Sequence, residues 1–266
     1  MSTGGTATCT SSEFLQTAAA VTAIASASSD LWQKLRIKVD TLRGLSSGTQ
    51  MALGAVGLLT GVGADKWDVG FIGVTGGKYQ MKVTFQNNSV SLTSAGTDLQ
   101  SALPANGNYL VPFIWYSTTL ATCGVTLFDD SGNSYAAVSG AASGAFAAGG
   151  GLIVLNDCNI VGFDTNQANT YNGTAIYTSV PPTSGSSRYA PPVQGETGQV
   201  YLSWMNDAPG STGAAAQVGS QALANNGGSV TYTGNNGSLW GPAPAGLPTR
   251  HQRVSGYSAI HRASRW

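Results

Sequence analysis

Apolar and polar residues alternate with a period of two along much of this chain. In "KYQMKVTFQNNSVSLTSAG", Tyr79, Met81, Val83 and Phe85 fall on one side and Gln80, Lys82 and Thr84 on the other. Asn87-Asn88 then supplies turn chemistry, and Val90 and Leu92 resume the pattern. A strand turns every second side chain to one face, whereas a helix would scatter these positions around its axis. The segment predicts a β-hairpin whose apolar positions face a core.

The same period marks "KLRIKVDTL", where Leu35, Ile37 and Val39 alternate with Arg36, Lys38 and Asp40, a half-exposed strand with a charged outer face. Further strands are predicted at "NYLVPFIWY", "CGVTLF", "NSYAAV", "GLIVLN", "NIVGFD", "TAIYTSV", "QVYLSWM" and "SVTYT", separated by turn signals such as Asp129-Asp130-Ser131-Gly132-Asn133. Pro112 cannot donate to a ladder, so its strand is expected at a sheet edge or a bulge. "MALGAVGLLTGVG" is too short to span a bilayer and reads as a buried connector. Short strands with Gly, Pro and Asn punctuation give a mainly β fold, an antiparallel β-sandwich of jelly-roll type over residues 30–240.

Two arms are expected to flank that body. In residues 1–29, Thr10-Ser11-Ser12-Glu13 has the form of a capping box, and Phe14, Ala18, Val21 and Ala25 follow at helical spacing. This predicts an N-terminal helical arm packed on a partner. From residue 241 the closely spaced prolines of "GPAPAGLP" hold the chain extended, and the segment to residue 266 forms the second arm. It carries Arg250, Arg253, Arg262 and Arg265 interleaved with Tyr257, Ile260 and Trp266, and no carboxylate.

The arm stands out because charged residues make up only 9% of the sequence, against about a quarter in ordinary soluble domains. Between Val83 and Thr249 the only basic residue is Arg188, against Asp98, Asp129, Asp130, Asp157, Asp164, Glu196 and Asp207. A basic arm tethered to an acidic body has two electrostatic destinations, nucleic acid or the surface of a neighbouring subunit. The aliphatic and aromatic residues among the arginines favour the subunit, since nucleic acid offers aliphatic side chains little to bury against. The sparse surface charge and zero formal net charge also favour an assembled protein.

Catalytic constellations are scarce. Both histidines, His251 and His261, lie in the arm, so a triad or zinc site in the body has no imidazole to use. The body's carboxylates sit mostly in turn contexts such as "DDSGN" and "NDCN". No enzymatic activity, metal or cofactor is implied. Cys9, Cys123 and Cys158 are too scattered for a disulfide scaffold and read as buried thiols. Asn87-Asn88-Ser89, Asn172-Gly173-Thr174 and Asn236-Gly237-Ser238 match the glycosylation acceptor pattern and read as turns. No convincing signal peptide or membrane span is read.

An N-terminal helical arm, a Gly/Ser/Ala/Thr-rich β body and a basic C-terminal arm together resemble the virion structural proteins of bacterial viruses. The resemblance implies a capsid or capsid-associated subunit, localised to the virion, with copies of itself and other virion proteins as partners. The competing reading is an extracellular or fibre-tip module that binds a glycan or receptor. For that reading Trp115, Trp204 and Trp240 are the candidate aromatic platforms, with Trp115 and Trp204 expected in the core and Trp240 exposed.

Overall fold

The computed structural model describes residues 5–38, 47–57, 66–74, 78–85, 90–93, 108–146, 149–157, 168–179, 188–192 and 194–234. Its strands are β1 (Ala7–Cys9), β2 (Phe14–Thr17), β3 (Asp30–Lys38), β4 (Gln50–Gly57), β5 (Trp67–Val74), β6 (Lys78–Phe85), β7 (Val90–Thr93) and β8 (Tyr109–Ser117). They continue as β9 (Thr122–Asp129), β10 (Ser134–Gly140), β11 (Leu152–Leu155), β12 (Asn169–Tyr177), β13 (Gln199–Ser203), β14 (Gly213–Ala214), β15 (Leu223–Asn226) and β16 (Thr231–Tyr232). A one-turn helix, α1, covers Thr22–Ala25.

These strands form two antiparallel sheets, the mainly β sandwich expected from the alternation. Sheet A runs β10-β9-β8-β3-β12-β1-β16 with β13 also on β12, and sheet B runs β14-β15-β2-β11-β4-β5-β6-β7. The core between them takes Leu35 and Ile37 from β3, Ile114 and Tyr116 from β8, and Val69 and Phe71 from β5. Burying each such side chain contributes about 1.5–3 kcal/mol. Gln33 ties the sheets together inside this core, accepting from Trp67 Nε1 at 3.0 Å and donating to Thr174 Oγ1 at 3.2 Å.

The hairpin forms as the alternation requires. Val83 pairs with Leu92 and Phe85 with Val90; Tyr79, Met81, Val83 and Phe85 are fully buried and Leu92 packs against the same core. Asn87-Asn88 lies outside the described residues. Leu35 and Ile37 likewise face inward while Arg36 and Lys38 reach the surface.

The N-terminal helical arm is not present. Thr10 and Glu13 make one half of a capping box, Thr10 N donating to Glu13 Oε2 at 2.8 Å, but Glu13 N donates to the backbone Thr10 O at 3.2 Å, as in a turn, and not to the threonine hydroxyl. They close a turn between β1 in sheet A and β2 in sheet B instead of starting a helix. Pairing decides the outcome: β1 lies between β12 and β16, and β2 between β11 and β15. The small residues that follow supply only α1, whose Ile24 enters the core. Residues 5–29 are thus woven into the body.

Two further expectations change. The "MALGAVG" part of the apolar connector is β4, an interior strand between β11 and β5, where Gly54 admits Val154 O to 2.9 Å from the position a Cβ would take. Pro112 lies in an interior strand, between β3 and β9, and not at an edge. The paired positions of β3 and β8 pass from Lys34–Phe113 to Ile37–Leu110, so the missing N–H falls where that ladder lapses. The neighbouring β12–β3 pairing is itself irregular between Tyr171 and Gly173. No helix among the described residues is long and apolar enough to cross a membrane.

Candidate functional site

Sheet A is apolar on its outer face as well as its inner one. Trp32, Val111, Phe113, Phe128, Ala175, Tyr177 and Leu202 form a second buried cluster there, with Trp115, Tyr189, Trp204 and Val218 packed against it. The nearly unbroken apolar sequence of β8 follows from this, because a strand covered on both faces has no reason to alternate. Part of the cover comes from residues 188–190. Tyr189 stands 5.8 Å from the Phe128 ring and fills the space above Gly132, where φ is +88° and a Cβ would lie 2.3 Å from the phenol. Lys34 Nζ donates to Ala190 O at 3.4 Å.

Beside this cover a groove of about 400 Å³ lies over β8, β9 and β10. Its shape follows from register. One row across the sheet reads Trp32, Trp115, Gly124, Ser139, and the next reads Lys34, Phe113, Thr126, Ala137. Large rings on β3 and β8 therefore stand beside small side chains on β9 and β10, and the step between them is the groove. At Gly124 a Cβ would lie 2.8 Å from the Trp115 ring and 2.3 Å from Val138 O, so only glycine lets the indole lie across β9. Trp115 stacks on Phe113 at 6.1 Å and 30°, and Phe113 stands 6.1 Å from Trp32.

The β8–β9 turn forms one rim. Asp30 accepts from Ser117 Oγ and, at 2.6 Å, from Thr119 Oγ1, while Ser117 Oγ accepts from Leu120 N at 3.0 Å. This fixed turn holds Leu120 at 43% exposure, the one large apolar side chain so exposed among the described residues. Arg188 forms the other rim, its guanidinium 5.7 Å from the Phe113 ring. Thr122, Thr126 and Ser139 add hydroxyls. Trp32 Nε1 and Arg188 Nε are buried without hydrogen-bond partners among the described residues. Among the described residues no carboxylate lines the groove. Burial lowers the Arg188 pKa from its ordinary value, yet a guanidinium stays charged in proteins.

A smaller concavity of about 140 Å³ lies at Asn108, Tyr109, Asp129, Asp130 and Ser131. Its carboxylates have structural work. Asp129 accepts from Ser131 N, Asn133 N, Asn133 Nδ2 and Tyr135 Oη, the turn role expected of "DDSGN". Burial pushes its carboxyl up, but these bonds outweigh that and hold it below the usual range. Asp130 pairs with Arg36, and Glu196 accepts from Tyr177 Oη. No group of three or more His, Cys, Asp and Glu able to hold a metal occurs among the described residues.

No protein-family model matches the chain, and no curated protein matches it in sequence. Solved structures share its fold. A putative carbohydrate binding protein from Bacteroides ovatus superposes with a TM-score of 0.55 at 8% identity, over 90% of this chain and 62% of that one. The heptameric SAP-like pentraxin from Limulus polyphemus gives 0.49 at 9% identity, over 83% of this chain and 95% of that one. Tailspike protein 2 of an Escherichia coli bacteriophage gives 0.40 at 11% identity, over 60% of this chain and 21% of that one. At these identities the likeness is one of fold, carried by the first of the three.

Of the residues singled out from sequence, Arg250, Arg253, Tyr257, Ile260, Arg262, Arg265 and Trp266 lie outside the described residues, as do Trp240 and Cys158. Trp204 packs into the outer cluster, whereas Trp115, expected in the core, is half-buried and lines the groove. Cys9 and Cys123 are buried free thiols. Asn172 is no turn residue: it sits buried in β12, donating to Gly5 O and accepting from Arg36. Alternation alone did not point to Trp32, Phe113, Leu120, Gly124 or Arg188 as a group. The available signals were the doubly apolar β8, a glycine at the centre of β9 and the isolation of Arg188.

Proposed function

We propose that this chain is a non-enzymatic glycan-binding β-sandwich whose site is the aromatic groove on the outer face of sheet A. The observation that carries the reading is the Trp115 indole laid across Gly124, which presents ring surface in an open groove beside the hydroxyls of Thr126 and Ser139. A saccharide ring has an apolar C–H face and a polar edge, and an aromatic floor with a few placed polar groups suits both. Sharing a fold with a protein described as carbohydrate-binding agrees with this. Asp129, Asp130 and Glu196 are engaged in turns and pairs, which supports a binding role over hydrolysis. The test is calorimetric titration of the intact chain against a panel of oligosaccharides, with and without Trp115→Ala.

A virion structural role, capsid-associated or at a fibre tip, is the second reading. Beyond the charge-poor composition and the basic arm, the β10 edge of sheet A favours it. Ser134–Gly140 holds no charged residue and no proline, and its irregularity against β9 falls only at its start, between Ser134 and Ala136, so most of the edge lacks the usual guards against association. The two readings meet in a virion-borne, self-associating protein that engages surface glycans.

A further inference from the structure

We infer that the groove selects acidic saccharides, with Arg188 as the partner of a ligand carboxylate. This rests on the glycan-binding reading and narrows it to a substrate class. The groove's hydrogen-bonding inventory is unbalanced. Among the described residues its side chains offer the Arg188 guanidinium, the Trp32 indole N–H and three hydroxyls, but no carboxylate, amide or imidazole acceptor. A neutral sugar presents many O–H donors, which such a wall satisfies poorly. A ligand carboxylate brings charged acceptors for the Arg188 and Trp32 donors, which the hydroxyls alone do not supply.

Two buried donors at the groove lack partners among the described residues, as Gln199 Nε2, Tyr201 Oη, Ser203 Oγ and Trp204 Nε1 do elsewhere. One is Nε1 of Trp32, a side chain only 1% exposed, and the other is Nε of Arg188. An unpaired buried donor calls for a partner, and at an open groove a ligand atom can supply it. Arg188 forms no ion pair with the described residues. Its position over Phe113 leaves the planar fork beside the aromatic floor, the arrangement suited to a uronate whose ring stacks while its carboxylate is held in two bonds. Arg188 is also the sole cation between Val83 and Thr249, so the positive potential in that stretch is concentrated at this rim.

The experiment measures affinity of the full chain for oligogalacturonate, for the same oligosaccharide after carboxyl reduction, and for a sulfated oligosaccharide of equal length. Wild type is expected to bind the uronide about tenfold or more tighter than its reduced form, the scale of one charge-assisted bond pair. Arg188→Gln should bring the affinities for the uronide and its reduced form to within about twofold of each other, with thermal melts run in parallel to show that the variant is folded. Arg188→Lys should restore only part of the difference, because an ammonium lacks the fork. Equal binding of the uronide and reduced forms, a preference surviving Arg188→Gln, or equal binding of the sulfated ligand would overturn carboxylate recognition. In those cases binding itself would still stand. Binding of none of the three would overturn both this inference and the glycan site.

Discussion

Trp115 and Gly124 are cross-strand partners, and the indole of the first occupies the space that a side chain on the second would need. Neither residue makes the groove alone. The tryptophan supplies ring area, and the glycine lets that ring lie down instead of standing off the sheet.

Gly124→Ala tests this pairing. The added methyl would meet both the indole and Val138 O, and overpacking of this kind costs about 1–3 kcal/mol. Thermal denaturation should show that loss, and glycan affinity should fall with it. The cost should shrink, without vanishing, in a Trp115→Ala background, because the carbonyl clash remains.

The fold was largely legible because alternation and one-sided burial are the same fact in a sheet. Tyr79, Met81, Val83 and Phe85 face inward for the same reason that they alternate with Gln80, Lys82 and Thr84. The N-terminal segment was misread because the Thr10 N to Glu13 Oε2 bond serves a turn as well as a helix start, and the pairing that settles the matter comes from β11, β12, β15 and β16, distant in sequence. The groove was mostly illegible. It depends on which residues share a row across β3, β8, β9 and β10, and register is a tertiary property.

Val83→Asp should unfold the domain. Val83 is fully buried in β6, flanked by Val69 and Leu92, and an unpaired carboxylate there costs several kcal/mol, roughly the whole stability of a small domain. Loss of the cooperative melt and of the β-type circular dichroism spectrum is the expected result.

Stability should pass through a maximum near pH 9 and fall steeply above about pH 10. Burial brings the Lys66 pKa down to about 8. Between that value and its ordinary 10.5, the unfolded chain holds a proton the folded chain lacks, and stability rises with pH. Burial and the Glu13 charge push Cys9 up to about 12 from 9.0, and burial and the Asp129 hydrogen bond push Tyr135 to about 12 from 10.0. Burial raises Tyr171, Tyr177, Tyr201 and Tyr232 as well. For these groups the unfolded chain ionises first, so their stabilisation is complete below the ordinary values and is lost as pH climbs through the folded ones. Thermal melts from pH 7 to 11 should show the maximum, and Lys66→Met should flatten the rise that precedes it.

Removing residues 250–266 should leave the sandwich folded and weaken self-association. The four arginines, Tyr257, Ile260 and Trp266 carry this expectation, and Arg-to-Lys replacement should weaken association despite unchanged charge. Sedimentation velocity of intact and truncated chains reads the effect directly, and equal association by the two would remove the arm from assembly.

The glycan site itself is tested most directly by calorimetric titration of wild-type and Trp115→Ala protein against the same oligosaccharide panel, with melting temperatures measured in parallel. The expected result is saturable binding of at least one oligosaccharide by wild type and a loss of about tenfold or more on substitution, with stability preserved to within a few degrees; tenfold corresponds to about 1.4 kcal/mol, within the roughly 1–3 kcal/mol that a nucleobase stacked on an aromatic side chain contributes. Binding unaffected by Trp115→Ala, or no binding across the panel, would contradict the assignment of the groove.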